Sequence, residues 1–165
     1  MIVTSLYLGL LIGAALHDVL RFTIPNWVHV ALAALFVGAA LAYAPAGFPW
    51  VEHLGAGVLL FAIGAALFYF NLMGGGDAKL IGAVGLWVGF DRLLPFVLVM
   101  ALAGGALALV VVLLRLGFRK LSPPTAEAKS WPELIARRKD LPYGVAIAAG
   151  AIAVLGRTPL LTPLF

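Results

Sequence analysis

The chain reads as an all-α, polytopic membrane protein: a single bundle of about six transmembrane helices spread over all 165 residues, with its N-terminus outside. Composition is the first reason. Some 64% of the residues are hydrophobic and only 11% charged, whereas about a quarter of an ordinary soluble domain is charged, and the mean hydropathy is +1.11. Patterning is the second: apolar runs recur between short polar breaks, most of them close to the ~20 residues that cross ~30 Å of hydrocarbon. The third is the placement of charge. The formal net charge is +4, yet the basic residues sit between the apolar runs rather than on a soluble face. That arrangement points to orientation in a bilayer and to anionic lipid, and away from nucleic acid.

Taken in order, Ile2 to Leu20 makes the first span. No Lys or Arg precedes Arg21, so the segment lacks the basic start of a cleaved signal peptide and is expected to be retained. Its last turn carries His17 and Asp18, with Arg21 just beyond. Thr23-Ile24-Pro25-Asn26 then forces a turn, because the residue before proline is biased out of the helical region and Asn favours turns. Trp27 to Tyr43 is the second span, opened by an interfacial tryptophan. A loop rich in proline and glycine follows, from Ala44 to Trp50, with Glu52 and His53 at the start of the next helix.

Leu54 to Phe70 is the third span, and Tyr69, Phe70 and Asn71 mark its interfacial exit. Ala78 to Phe90 would be only about 20 Å long at about 1.5 Å per residue, so it is a short span or a re-entrant segment. Asp91 and Arg92 break the run, and Leu93 to Leu114 is the fifth span. Residues 116-141 form the one sizeable loop, cytoplasmic, in which Trp131 to Lys139 fits a short amphipathic helix on the membrane surface with a basic end at Arg137, Arg138 and Lys139. Tyr143 to Leu155 begins the sixth span, and Pro159 and Pro163 bring the chain to an irregular apolar end.

Counting basic residues gives the orientation. With six spans and the N-terminus outside, Arg21, Lys79, Arg115, Arg119, Lys120, Lys129, Arg137, Arg138 and Lys139 are cytoplasmic, nine of the eleven Lys and Arg. Only Arg92 and Arg157 fall outside. This bias argues that the short fourth segment crosses, because a re-entrant one would reverse the parity of everything after it.

The most expensive charge lies in Asn71-Leu72-Met73-Gly74-Gly75-Gly76-Asp77-Ala78-Lys79, where three glycines and a carboxylate interrupt an apolar chain. A carboxylate in a span costs about 2.5 to 3.5 kcal/mol at the helix centre and less near the surface, so it is a functional-site candidate. The orientation brings Asp18, at the exit of span one, to the same cytoplasmic face as Asp77. Two aspartates a few ångströms apart cannot both ionise easily and come to share a proton. One can then take a proton from water while the other donates to a carbonyl oxygen, which suffices to hydrolyse a peptide bond without covalent intermediate, cofactor or metal. Asp77, at a helix start and near Lys79, is expected to be the more acidic of the two. Gly74, Gly75 and Gly76 permit positive φ and close approach of a substrate backbone.

Plainer roles exist for the same residues. Gly-Gly-Gly-Asp before a helix is also a cap after a flexible turn, and Asp18 with Arg21 at i,i+3 is also an interfacial ion pair. Lys79 and Arg21 serve topology first. A transporter or assembly subunit would use the two carboxylates to bind protons or cations, but both lie at one face and no acidic residue stands mid-span to continue a relay. With no cysteine and only three scattered histidines, disulfides, thiolate sites and a dedicated zinc site are not expected.

Gly74-Gly75-Gly76-Asp77 with Lys79 resembles the GxGD signature, in its GxGDxK form, of the type IV prepilin leader peptidases, a family of intramembrane-type aspartyl proteases. Asp18 followed by Arg21 and Ile24-Pro25-Asn26 resembles that family's first aspartate motif, and Leu141-Pro142-Tyr143-Gly144-Val145-Ala146-Ile147-Ala148 resembles the start of its last span. The resemblance implies that Asp18 and Asp77 are the catalytic pair, that Gly74 and Gly76 are the motif glycines, and that the substrates are prepilins or pseudopilins cut after a glycine at the inner membrane. The chain is most similar to the short TadV or CpaA forms of tight-adherence (Flp) pilus systems. Longer members carry an N-terminal cysteine domain and methylate the product; neither feature is expected here.

Overall fold

Every regular element among the described residues is helical, one of the ways in which a backbone in hydrocarbon satisfies its own N–H and C=O groups. The computed structural model describes residues 2–121 and 141–155, with side chains as far as 117 in the first stretch. The order is α1 (Ile2–Arg21), α2 (Asn26–Tyr43), α3 (Trp50–Tyr69), α4 (Gly75–Val88), α5 (Leu93–Leu121) and α6 (Tyr143–Ala153), with a 3-10 turn at Phe90–Arg92 between α4 and α5. The amphipathic helix expected at Trp131 to Lys139 and the irregular end at Pro159 and Pro163 lie outside the described residues. Four helical stretches among those described are long and apolar enough to cross a membrane, namely Ile2–Arg21, Asn26–Tyr43, Trp50–Tyr69 and Phe90–Gly117. The chain is thus an all-α, multi-pass membrane protein.

Two helices start earlier than their apolar runs. α3 begins at Trp50, directly after Pro49, rather than at Leu54. Glu52 is simply an acidic residue in its first turn, where the helix dipole favours it. α4 likewise begins at Gly75, so the first turn of that helix uses two of the glycines that the sequence suggested as a loop.

α4 is the axis of the bundle. Ten of its fourteen residues are buried, and its Gly- and Ala-rich sequence lets neighbours approach closely. A Cβ placed on Gly64 of α3 would come within 2.9 Å of Ala78 Cα, and one on Gly85 of α4 within 2.9 Å of both Ala56 O and Gly57 Cα. Farther along, Gly57 meets Leu86 and Gly55 meets Phe90. The two helices therefore run antiparallel, and α4 with its 3-10 turn carries the chain back to the starting end of α3. The fourth segment thus lies alongside α3 over its whole length, as the expectation of a crossing segment requires.

Aromatic side chains pin α4 to α1, α2 and α3. Trp87 is fully buried and donates its Nε1–H to the Leu32 carbonyl at 3.0 Å. Its ring lies 4.6 Å from Tyr7 and 5.7 Å from Phe36. Nearby, His53 donates from Nδ1 to the Leu86 carbonyl at 2.7 Å and stacks on Phe48 at 4.7 Å. This buried histidine holds α3 to α4 at the end of the bundle away from Asp77.

α5 and α6 are antiparallel as well: a Cβ on Gly150 would be 2.9 Å from Phe96 O, while Gly104 faces Tyr143 and Ala146. α5 passes the start of α6 and remains apolar to Leu114 before Arg115. From Gly104 to Arg115 is roughly 16 Å of helix at about 1.5 Å per residue. The C-terminal ends of α1 and α3 and the N-terminal ends of α4 and α6 gather at the level of Gly104.

Candidate active site

Asp18 closes the buried stripe of α1. Thr4, Tyr7, Leu11, Ala14 and Asp18 recur at the three- and four-residue spacing that lines one helix face, and all five are buried. A carboxylate only 4% exposed thus continues a packing stripe into the interior. The helix ends just after it: Phe22 has φ +57° and donates its N–H to the Asp18 carbonyl at 2.7 Å, a left-handed cap. A bulky residue in that region costs about 1–2 kcal/mol, strain that persists only where the surroundings hold it.

Asp77 is the third residue of α4, 6% exposed. The chain arrives there through a tight closure of α3, in which Asn71 has φ +57°, its N–H bonds the Phe68 carbonyl at 2.9 Å, and the Leu72 N–H bonds the Leu67 carbonyl at 2.8 Å. Both bonds are those of a Schellman motif, and Asn is the non-glycine residue that best tolerates it. The backbone of Gly74 hydrogen-bonds the Asp77 carboxylate. Oδ1 of Asp77 has no hydrogen-bond partner among the described residues.

The three glycines serve space rather than unusual backbone angles. Positive φ among the described glycines occurs at Gly47 and Gly89, not at Gly74, Gly75 or Gly76, which corrects that part of the sequence expectation. A Cβ on Gly74 would lie 2.8 Å from Asp77 Oδ2; on Gly75 it would meet the Phe68 ring at 3.2 Å, and on Gly76 it would meet Ile24 at 3.3 Å. Gly74 lines the cavity beside Asp77, whereas Gly75 and Gly76 seat the first turn of α4 against α3 and the α1–α2 turn.

Asp18 and Asp77 line a single cavity of about 480 Å³ together with Phe22, Phe68, Asn71, Leu72, Met73, Gly74, Leu141 and Tyr143. They are near enough for their charges to act on one another. Phe22 and Asn71, the two left-handed residues, both form its wall. Neither Lys79 nor Arg21 lines it. Lys79 stands two residues from Asp77, about 200° around the helix, and donates from Nζ to Asn26 Oδ1 at 2.9 Å, tying α4 to the start of α2. Arg21 is exposed at the end of α1.

Asp18 is bonded from elsewhere. Its Oδ2 accepts the buried backbone N–H of Gly144 at 2.8 Å, across 126 residues of sequence. Gly144 is in the first turn of α6, whose cap residue is Pro142. The first-turn N–H groups of a helix have no partner within it, and a proline at the cap position offers no side-chain acceptor, so the carboxylate of Asp18 takes that place. The Pro142-Tyr143-Gly144 start was visible in the sequence, but its destination was not.

Fold and site together define a polytopic helical membrane protein whose buried carboxylates converge on a cavity where four helix ends meet. Among the described residues no group of three or more His, Cys, Asp or Glu is placed to hold a metal ion. The chain belongs to the type IV leader peptidase family, whose model matches residues 5–109 and so includes both aspartates, and it is a prepilin leader peptidase by that membership. No curated protein and no solved structure matches it.

Proposed function

We propose that the peptidase is of the aspartic type, that Asp18 and Asp77 are its acid and base, and that it removes the basic leader of Flp-type prepilins at the cytoplasmic face of the bacterial inner membrane. The observation that carries this is the convergence of two buried carboxylates, one from α1 and one from α4, on one cavity. Burying two such groups is expensive and no packing need explains it. Similarity to the short family members supports the Flp class of substrate, and the bias of basic residues supports the cytoplasmic face.

In the reaction the ionised carboxylate removes a proton from water as its oxygen attacks the scissile carbonyl carbon. The protonated carboxylate gives its proton to the carbonyl oxygen, leaving a neutral tetrahedral diol. Collapse breaks the C–N bond while the carboxylic acid formed in the first step protonates the leaving nitrogen. A proton returns from the diol to the other carboxylate, restoring the starting pair. The cavity lies roughly 16 Å along α5 from Arg115, so the bond to be cut is drawn inward while the substrate's apolar helix remains in lipid beside the bundle. A glycine before the cut would let the substrate backbone pass close to Gly74.

The test is to incubate the purified protein, in vesicles, with a peptide carrying a short basic leader, a glycine and an apolar helix. A single cut after the glycine is expected. Uncut peptide, together with proton flux that disappears in aspartate variants, would instead establish the transporter alternative.

A further inference from the structure

The two aspartates are held unequally. Asp18 receives an N–H from the N-terminus of a helix from another part of the chain, at 2.8 Å and shut away from water. A helix N-terminus favours an anion, and a hydrogen bond to a charged acceptor is the stronger kind. The fit leaves no spare room: a Cβ on Gly144 would lie 2.9 Å from Asp18 Oδ2 and 3.1 Å from Asp18 Cβ. Asp77 lines the same cavity and is bonded only from its own turn, by the backbone of Gly74, with its buried Oδ1 unbonded among the described residues. The cation expected to support its charge, Lys79, is on the other side of α4 and bonded to Asn26.

We propose that Gly144 is a positioning residue that holds Asp18 as the charged base, leaving Asp77 as the protonated acid of the pair. This rests on the acid and base roles proposed above and reverses the order expected from sequence. The other titratable groups around Asp18 do not supply such a donor. His17, on the same helix, bonds the Thr23 carbonyl; Arg21 is exposed at the helix end; Asp77 on α4 repels; Tyr143 of α6 lines the cavity without bonding Asp18. On α2, His29 lies against Gly76 and Lys79.

The test is the pH profile of kcat for leader removal in two variants. Gly144→Ala pushes Asp18 off the N–H. Pro142→Ser adds a capping hydroxyl that competes for the same N–H without a clash, since a cap residue bonds the second or third N–H of its helix; it carries the test if Gly144→Ala does not fold. A hydrogen bond to the charged form lowers the pH at which that form appears, so losing it moves the ionisation upward. With Asp18 as base, the acidic limb moves up by about one pH unit, the alkaline limb stays, kcat falls about tenfold or more and KM stays within about twofold. Gly150→Ala, whose Cβ would meet Phe96 O at 2.9 Å on the same helix, lowers thermal stability and leaves both limbs in place. Movement of the alkaline limb instead makes Asp18 the acid and overturns the assignment. Immobile limbs in both variants reduce Gly144 to packing and overturn it too, with the catalytic pair intact. If Asp18→Asn and Asp77→Asn still cleave, the acid and base reading itself fails, a different result from any of these.

Discussion

Gly74→Ala separates two reasons for a glycine beside a catalytic aspartate. Gly74 has φ −69° and ψ 145°, extended backbone open to any residue, so its conformation is not the obstacle. As a cap residue alanine is poorer than glycine by about 0.5–1 kcal/mol. The new Cβ would lie 2.8 Å from Asp77 Oδ2. That contact is with the end of a side chain, which can turn about 30° from its preferred rotamer for about 0.5–1.5 kcal/mol. The sum is a stability loss of about 1–2.5 kcal/mol, small enough to leave a folded protein. Activity should suffer far more, since misplacing a reacting group by about 1 Å costs on the order of 100-fold. Thermal unfolding in detergent and kcat for leader removal, measured on one preparation, check both numbers. An unchanged kcat would refute the reasoning, and so would activity lost only in proportion to folded protein.

Other perturbations follow from the same geometry. Trp87→Ala empties a fully buried site and removes the bond to Leu32 O, and should destabilise by about 3–5 kcal/mol in a thermal melt. Gly85→Ala drives a methyl into the backbone of Ala56 and Gly57; overpacking of about 1–3 kcal/mol should appear as a lower melting temperature with lower yield. Lys79→Met cuts an exposed tie to Asn26, so stability should fall by less than about 1 kcal/mol and KM should hold; a large rise in KM would show that Lys79 meets substrate. For the parent, kcat should rise from acid pH as the base ionises and fall at alkaline pH as the acid loses its proton, giving a bell; a flat profile would speak against a carboxylate pair.

Much of this was legible because hydrocarbon leaves a chain few options. The first, second, fifth and sixth spans start within a residue of their helices, since apolar runs and turn residues such as Pro25 and Pro142 mark them. Asp18 and Asp77 stood out because charge is rare in such runs, and their shared face followed from the parity of spans. Long-range contacts were not readable. Nothing local says that Gly144 bonds Asp18 from 126 residues away, nor that Lys79 turns toward Asn26. The glycine turn pointed to the right residues for a partly wrong reason, since glycine satisfies a need for space and a need for unusual φ equally well, and only coordinates separate the two. Phe22 carried no sign of a left-handed conformation at all, because its strain is imposed by its surroundings.

The most direct measurement is single-turnover removal of a prepilin leader by the parent and by Asp18→Asn and Asp77→Asn, each shown to be folded and inserted in vesicles. If the two carboxylates are base and acid, each variant loses about 100- to 10,000-fold in rate with little change in substrate binding. A variant of either position that cleaves at the parent's rate would contradict the paired-aspartate mechanism.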